Sequence, residues 1–303
     1  MSPGTRLLVC LDFGGTKLAV TLADLDGTTV VGDVLATDAD QGAEQAVHRA
    51  VECAHRLLAE RGAEAAAVGV ATMGITHEDH VELAPNVPGW DRLALPVLLR
   101  EAFGPAPVAI ANDVKAAALA ELTWGELRGA GTAIYLNLGT GIAAALVVGG
   151  RIVDGAHGAA GEIAYWARSR ADTAGAAAGR APLEEYAGGV GALQRARAEL
   201  GVEGGVAALV ALAEGDDPAA RAFLDDLYAE IAFHTANLAV ALDPERVVVG
   251  GGFARGSDAV LEVIRDRLEA FVPYPPEVRR AAFGADAGTA GAVALAMQAR
   301  APR

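Results

Sequence analysis

The residues best suited to chemistry lie in three glycine turns, each following an apolar run. The first is Asp12-Phe13-Gly14-Gly15-Thr16-Lys17. Glycines let the backbone approach a ligand closely and turn its N–H groups inward, which suits phosphate oxygens. Thr16 adds a hydroxyl donor and Lys17 a point charge. Asp12, at the end of the apolar run, supplies a carboxylate for a hydrated Mg²⁺. This is not a Walker loop, which needs a longer glycine stretch running into a helix. A single Gly-Gly is more often an ordinary hairpin turn. Here, however, Leu138-Gly139-Thr140-Gly141 repeats the device, and two such turns facing each other would grip a polyphosphate from both sides. A third turn, Gly250-Gly251-Gly252-Phe253, follows Val248-Val249 and offers bare backbone to a flat adenine ring.

The elements that hold these turns read as α/β. Arg6–Asp12 predicts a strand, Leu18–Leu25 a second, and Thr28–Ala36 a third after the Asp26-Gly27 hairpin signal. Gln41–Arg61 has helical spacing of Ala46, Val47, Ala50, Ala54, Leu57 and Leu58. Further strands are expected at Ala65–Met73, Pro107–Ala111, Gly131–Leu138, Ile142–Val148, Arg151–Val153, Arg246–Val249 and Val278–Phe283. Helices are expected at Leu93–Phe103, Val114–Leu122, through most of Ala181 to Leu242, and at Ser257–Phe271 and Ala287–Gln298. The strand, glycine turn, strand pattern occurs in both halves, which suggests two α/β domains around a cleft.

Composition narrows the partners. The 303 residues include 24 basic and 39 acidic side chains, a net charge of −15, which repels nucleic acid and anionic membranes unless a local patch overrides it. No run of about 18 apolar residues is present. The N-terminal stretch reads as a core strand rather than a signal peptide. Cys10 and Cys53 are too few for a disulfide framework or a thiolate cluster, so a reducing cytoplasmic setting is expected. Only two of the basic residues are lysines, Lys17 and Lys115, and both fall in the segments that look most like chemistry.

Six segments together resemble the ROK family (repressors, open reading frames and sugar kinases) of the actin-like, hexokinase-like ATPase superfamily. They are LDFGGTK (11–17), PNVPGW (85–90), ANDVKAAALAE (111–121), NLGTGIAAALVVGG (137–150), GAHGAAGEIAY (155–165) and VVVGGGFA (247–254). Each is weak alone, but their order and spacing are specific. The resemblance implies two actin-like (ribonuclease H-like) domains: 1–113, with 287–303 packing back on it, and 114–286. It implies ATP and Mg²⁺ as cofactors, a small-molecule sugar as the other partner, and a homodimer. Asp12, Gly14, Gly15, Thr16, Lys17, Gly139, Thr140, Gly141, Gly251, Gly252 and Phe253 would then hold the nucleotide, with Asp12 reaching Mg²⁺ through water. Asp113 becomes the general base that takes the proton of a primary 6-hydroxyl as that oxygen attacks the γ-phosphorus. Gly74, Asn86, Asn112, Asp113 and Glu162 would surround the sugar. Asp113 also reads as an N-cap of the helix that follows it. Lys115 stands where the family usually has Asn. It would balance charge, reach a substrate oxygen or face solvent. Trp90 reads as core in preference to a stacking face. His157, in a loop, is structural or functional.

The departures matter too. Many ROK proteins bind a structural zinc through one His and three Cys. At those four positions this chain has Tyr165, Gly175, Ala177 and Pro182, so zinc is not expected there. Tyr165 replaces a His that also touches sugar in the family. Glu184 matches a glutamate that touches the anomeric hydroxyl, with Glu185 as the neighbouring alternative. Glucose, an aminosugar or a C7-cyclitol of secondary metabolism, as in antibiotic biosynthesis, all remain open as substrates. His77-Glu78-Asp79-His80 reads as a solvated turn rather than a metal site. A sugar-responsive repressor is disfavoured by the −15 charge and by the seven residues before Leu8, too few for a DNA-binding motif. A catalytically inactive sugar-binding or regulatory protein is disfavoured by the joint presence of Asp12, Lys17 and Asp113.

Overall fold

The computed structural model describes residues 4–84, 87–215 and 217–301. In chain order it shows β1 (Thr5–Phe13), β2 (Lys17–Ala23), β3 (Thr29–Ala36), α1 (Ala43–Glu60), β4 (Ala63–Thr72), β5 (Ile75–Thr76), β6 (Val81–Glu82), α2 (Leu95–Phe103), β7 (Val108–Asn112) and α3 (Asp113–Thr123). There follow β8 (Thr132–Leu138), β9 (Ile142–Val148), β10 (Arg151–Ile152), α4 (Pro182–Ala187), α5 (Gly189–Leu200), α6 (Val206–Glu214) and α7 (Pro218–Leu242). The chain ends with β11 (Arg246–Gly250), α8 (Gly252–Gly256), α9 (Ala259–Phe271), β12 (Glu277–Arg280) and α10 (Ala287–Arg300).

Two compact units result. The first takes the chain up to Thr123, the excursion Asp154–Ala159 and the segment from Ala285 on. The second takes Trp124–Val153 and Ala160–Gly284. The first unit thus extends past the expected boundary at Asp113. The reason is that α3 packs against α10 and, with it, lies on the β4 and β7 side of the same sheet.

The first unit's sheet has the order β3-β2-β1-β4-β7. The β3-β2 and β2-β1 pairs are antiparallel, and β1, β4 and β7 run parallel. Strand β1 is apolar on both faces, as a central strand between helical layers must be. Leu7, Val9, Leu11 and Phe13 point into one core with the buried face of α1. Leu8 and Cys10 point into a second core with Ala116 and with Ala292, Val293, Leu295 and Ala296 of α10. This second layer is built from small residues and is correspondingly close. A Cβ on Gly69 would overlap the Ala292 carbonyl and the Ala296 amide, and one on Gly291 would overlap Ala116.

The second unit repeats the plan with a β10-β9-β8-β11-β12 sheet, in which β8, β11 and β12 are parallel. Its core joins Ile134, Leu136, Val247 and Val249 of the sheet to Leu227 and Ile231 of α7 and to Ile264 and Leu268 of α9. Helix α7 starts where Asp217 accepts hydrogen bonds from the Ala219 and Ala220 amides, just before Pro218, a favourable cap and first residue. The expected strand Val278–Phe283 is shorter, because its pairing with β11 runs only from Glu277 to Arg280. The short hairpin β5–β6 and the helix α8 have no counterpart in the sequence-based expectation. Among the described residues no helix is long and apolar enough to cross a membrane.

Candidate active site

In the first unit the C-terminal ends of the parallel strands carry the candidate residues. Register places Asp12 opposite Ala71 and Ala71 opposite Ala111, so the ends of β1 and β7 stand two ladder spacings apart, about 10 Å. Loops at such carboxyl ends are where open parallel sheets present ligands. The turn from β1 to β2 is closed by the Gly14 amide donating to the Lys17 carbonyl (3.1 Å). It is held from β3's end by buried Thr37, whose hydroxyl donates to the Gly14 carbonyl (2.7 Å) and whose amide donates to the Thr16 carbonyl (3.0 Å). Thr37 gives no signal in the sequence, being one polar residue of the Thr37–Gln41 stretch after a strand. Gly15, Thr16 and Lys17 are exposed, and a Cβ on Gly15 would meet nothing. Phe13 packs on Trp90 at 5.2 Å between ring centres. Trp90 itself is fully buried and donates its indole N–H to Thr72 (3.0 Å), so it is core, as expected.

Asn112 and Asp113 divide the roles that the sequence left joined. The Asn112 side-chain oxygen accepts the Lys115 amide (2.8 Å) and so caps α3, while Asn112 is buried. Asp113 is therefore not the cap. It is the first residue of α3, and its exposed carboxylate accepts the Val114 amide (2.9 Å). The partial positive charge of a helix start favours the anionic form a base needs.

Asp12 is the electrostatic anomaly of the unit. Burial first, and then the charge of Asp113, push its carboxyl up to about 6, against the pull of Lys17. Its oxygens press on the first turn of α10, where a Cβ on Gly288 would overlap them. Between about pH 4 and pH 6 the folded chain therefore binds more protons here than the unfolded chain, so this group lowers stability as pH rises through that window. Asp12→Asn in Mg²⁺-free buffer is expected to be more stable than the parent by roughly 2–3 kcal/mol at neutral pH. That gap should close near pH 4. Urea midpoints measured across pH would show it, and a gap independent of pH would contradict the account.

Lys115 faces neither solvent nor an open site; it balances the charge of Asp154. Its side chain is 6% exposed and its ammonium donates to the Asp154 carbonyl (3.2 Å), the Asp154 carboxylate (3.2 Å) and the Gly158 carbonyl (2.7 Å). Three acceptors saturate an ammonium's three donors. Lys115 thus ties the Asp154–Ala159 excursion to α3, two residues beyond Asp113. His157 rides on that excursion, exposed.

Gly74 is required for a reason other than ligand approach. It has φ +82°, and a Cβ there would come within 2.6 Å of the Glu82 carbonyl, so the space is filled by the chain's own β6. Asn86 lies outside the described residues.

In the second unit, Gly139–Gly141 joins β8 to β9. The start of α5 holds it: the Gly189 amide donates to the Gly139 carbonyl (3.1 Å) and the Val190 amide to the Thr140 carbonyl (3.0 Å). Gly251, at φ +91°, packs directly on Leu138 and Gly139, so two of the three glycine turns meet. The Phe253 ring is 1% exposed and belongs to the core, which leaves only backbone of this turn at the surface. Glu184 leans on Gly141 and accepts the Ile142 amide (3.1 Å), bracing the turn from α4. Glu162 and Glu184 both lie near Tyr165, whose phenol is raised by burial and then by these two charges. The sequence-predicted sugar residues of this unit thus come together. Around the positions where the family holds zinc, side chains do the tying. The Arg168 and Arg195 guanidinium groups stack on the Tyr186 ring at 3.1 and 3.6 Å, and the Tyr186 hydroxyl donates to Asp226. Arg168 also pairs with Glu230 (2.6 Å).

Comparison with known proteins fits this geometry. The family model described as ROK family matches residues 8–299. The chain belongs to the ROK family. This ROK protein is 30% identical over 301 residues to kanosamine kinase of Amycolatopsis mediterranei, with 97% of each chain covered. It is 34% identical over 192 residues to the bifunctional enzyme NanE/NanK of Brucella melitensis, a match that covers 63% of this chain but only 35% of that protein's length. Among solved structures, the ROK hexokinase from Thermus thermophilus has a TM-score of 0.83 at 32% identity, covering 96% of this chain and 98% of the other. A ROK glucokinase from Streptomyces griseus, solved with glucose and AMPPNP, has a TM-score of 0.76 at 27% identity, covering 96% and 99%. The fold of this ROK protein is accordingly the actin-like ATPase fold.

Proposed function

We propose that this ROK protein is an ATP-dependent sugar kinase. In this reading it moves the γ-phosphoryl group of ATP to the primary 6-hydroxyl of a hexose or modified hexose. The observation that carries the reading is the exposed Asp113 carboxylate, seated at the start of a helix capped by its neighbour, on the same sheet edge as Asp12 and Lys17. Asp113 accepts the hydroxyl proton as that oxygen attacks the γ-phosphorus; ADP leaves with the former bridging oxygen. Lys17 and the exposed Gly15-Thr16 turn beside it supply the donors that neutralise phosphate charge. Asp12 fits a divalent cation: burial first, and then the neighbouring Asp113 carboxylate, raise the cost of ionising it, and a cation would offset both. A Mg²⁺ bound there, through water, would draw charge off the phosphate oxygens. The names of the relatives, kanosamine kinase and glucokinase, support the same class of reaction.

A second reading, an aminosugar as the preferred acceptor, is favoured by the second unit. There Tyr165 has two carboxylates for neighbours, Glu162 and Glu184, an environment that suits an ammonium group better than a neutral hydroxyl. The test is coupled ADP release against glucose, mannose, glucosamine, kanosamine and a C7-cyclitol, with the phosphorylated position read by NMR. Sugar-stimulated release and a 6-phosphate are expected. Absence of stimulation by all five, with sugar binding retained, would replace the kinase by the inactive sugar-binding alternative.

A further inference from the structure

We propose that His77, His80 and Glu82 form a binding site for a divalent transition-metal ion of the zinc class, on the β5–β6 hairpin. From sequence this stretch reads as a solvated turn. The fold changes that by adding a third ligand from the returning strand. Ile75 pairs with Glu82 and Thr76 with Val81, and the His77 amide donates to the His80 carbonyl (2.9 Å), so the four residues from His77 to His80 make a closed turn. The two imidazoles then lie side by side, with ring centres 4.7 Å apart and planes 18° from parallel. Both present Nε2 to one carboxylate. His77 Nε2 is 3.2 Å from Glu82 Oε2, and His80 Nε2 is 3.1 Å from Glu82 Oε1.

Three further observations point to an ion. The candidate ligand atoms all lie within 4.8 Å of one another. Zinc bonds of about 2.0–2.2 Å need ligand atoms roughly 3.3 Å apart, close to the two Nε2–carboxylate separations of 3.2 and 3.1 Å. Asp79 Oδ1 sits 2.6 Å from His80 Nδ1. A carboxylate on the far ring nitrogen is the usual partner of a metal-binding histidine, because it fixes the proton there and leaves the Nε2 lone pair for the ion. Finally, His77 Nε2 is shielded from solvent and makes no aligned hydrogen bond, although Glu82 is in range. The turn is held in place from α2, where Arg100 donates to the Glu78 carbonyl (3.1 Å). Two nitrogens and one carboxylate select zinc, cobalt, nickel or copper over Mg²⁺ and Ca²⁺, with the fourth position left to water. The ion would cross-link the two arms of a hairpin whose β6 strand packs on Gly74. The site shares no residue with the Asp12 turn or with the four positions at which the family binds zinc.

The experiment uses full-length, tag-free protein stripped of metal, titrated with Zn²⁺ by calorimetry in the presence of excess Mg²⁺. Co²⁺ serves as a spectroscopic substitute. One equivalent of Zn²⁺ per chain is expected, with tetrahedral visible bands for Co²⁺ and a rise in the unfolding midpoint. His77→Ala/His80→Ala should abolish all three while keeping the metal-free midpoint, since both rings are partly exposed. Asp79→Asn, which keeps every ligand, should weaken Zn²⁺ roughly 10–100-fold. Absence of stoichiometric binding, binding unchanged in the double variant, or Asp79→Asn affinity within twofold of the parent would each overturn the proposal.

Discussion

Asp113→Asn is expected to lower sugar-dependent ADP release by roughly 10²–10⁴-fold, the usual range for removing a positioned general base. The structure separates this loss from a folding defect. Asn112 caps α3, so the cap survives the change. Asp113 is exposed, and its replacement by Asn is close to isosteric; the cost is the favourable charge at a helix start, about 0.3–1 kcal/mol. The turn at Gly14–Lys17 proposed to meet phosphate is held by Thr37 rather than by Asp113, so ATP affinity should change little. Single-turnover rates with saturating sugar, ATP affinity by calorimetry and the unfolding midpoint make the full comparison. Near-normal turnover in a folded variant would remove Asp113 from the chemistry and the proposed mechanism with it.

Gly69→Ala should destabilise the first unit by about 3 kcal/mol or more, at the upper end for overpacking. A methyl at this position in β4 would overlap the Ala292 carbonyl and the Ala296 amide, both backbone atoms of α10. Backbone cannot rotate away as a side chain does. The helix must slide outward instead, opening gaps along Ala116, Val293 and Leu295. For a unit of this size the expected fall in the melting midpoint is roughly 6–12 °C. Gly175→Ala is the control. Nothing lies near its added methyl and its φ is negative, so stability should stay within about 0.5 kcal/mol. Equal effects at the two sites would mean that α10 does not pack on β4 as described.

Gly69 also marks where sequence reasoning stops. Strands, turns and helix α1 were legible because their signals are local: period-two or continuous apolar runs, Asp-Gly and Gly-Gly turns, a 3.6-residue stripe. The chemical residues were legible as motifs, since Asp12, Lys17 and Asp113 each sit in a short recognisable string. The partners of those residues were not. Thr37 reaches the Gly14 turn across a strand pair. Lys115 finds its acceptors 39 and 43 residues later, in an excursion that returns to the first unit. Gly69 and Ala292 belong to opposite ends of the chain. His77 and His80 needed Glu82 folded back on them. Phe253 follows three glycines yet points into the core, because α8 begins there and turns the ring inward. Local pattern carries type and turn; long-range packing decides which side chains remain free for a ligand.

The enclosure of Lys115 has a practical consequence for labelling. The chain has only two lysine amines. One is spoken for by three oxygens and sealed from solvent, and the other, Lys17, stands open at the end of the first glycine turn. Apart from the chain's α-amino group, an acylating reagent applied to the native protein therefore addresses a single lysine. A fluorophore placed that way sits on the turn proposed to meet phosphate, ready to report when a nucleotide arrives.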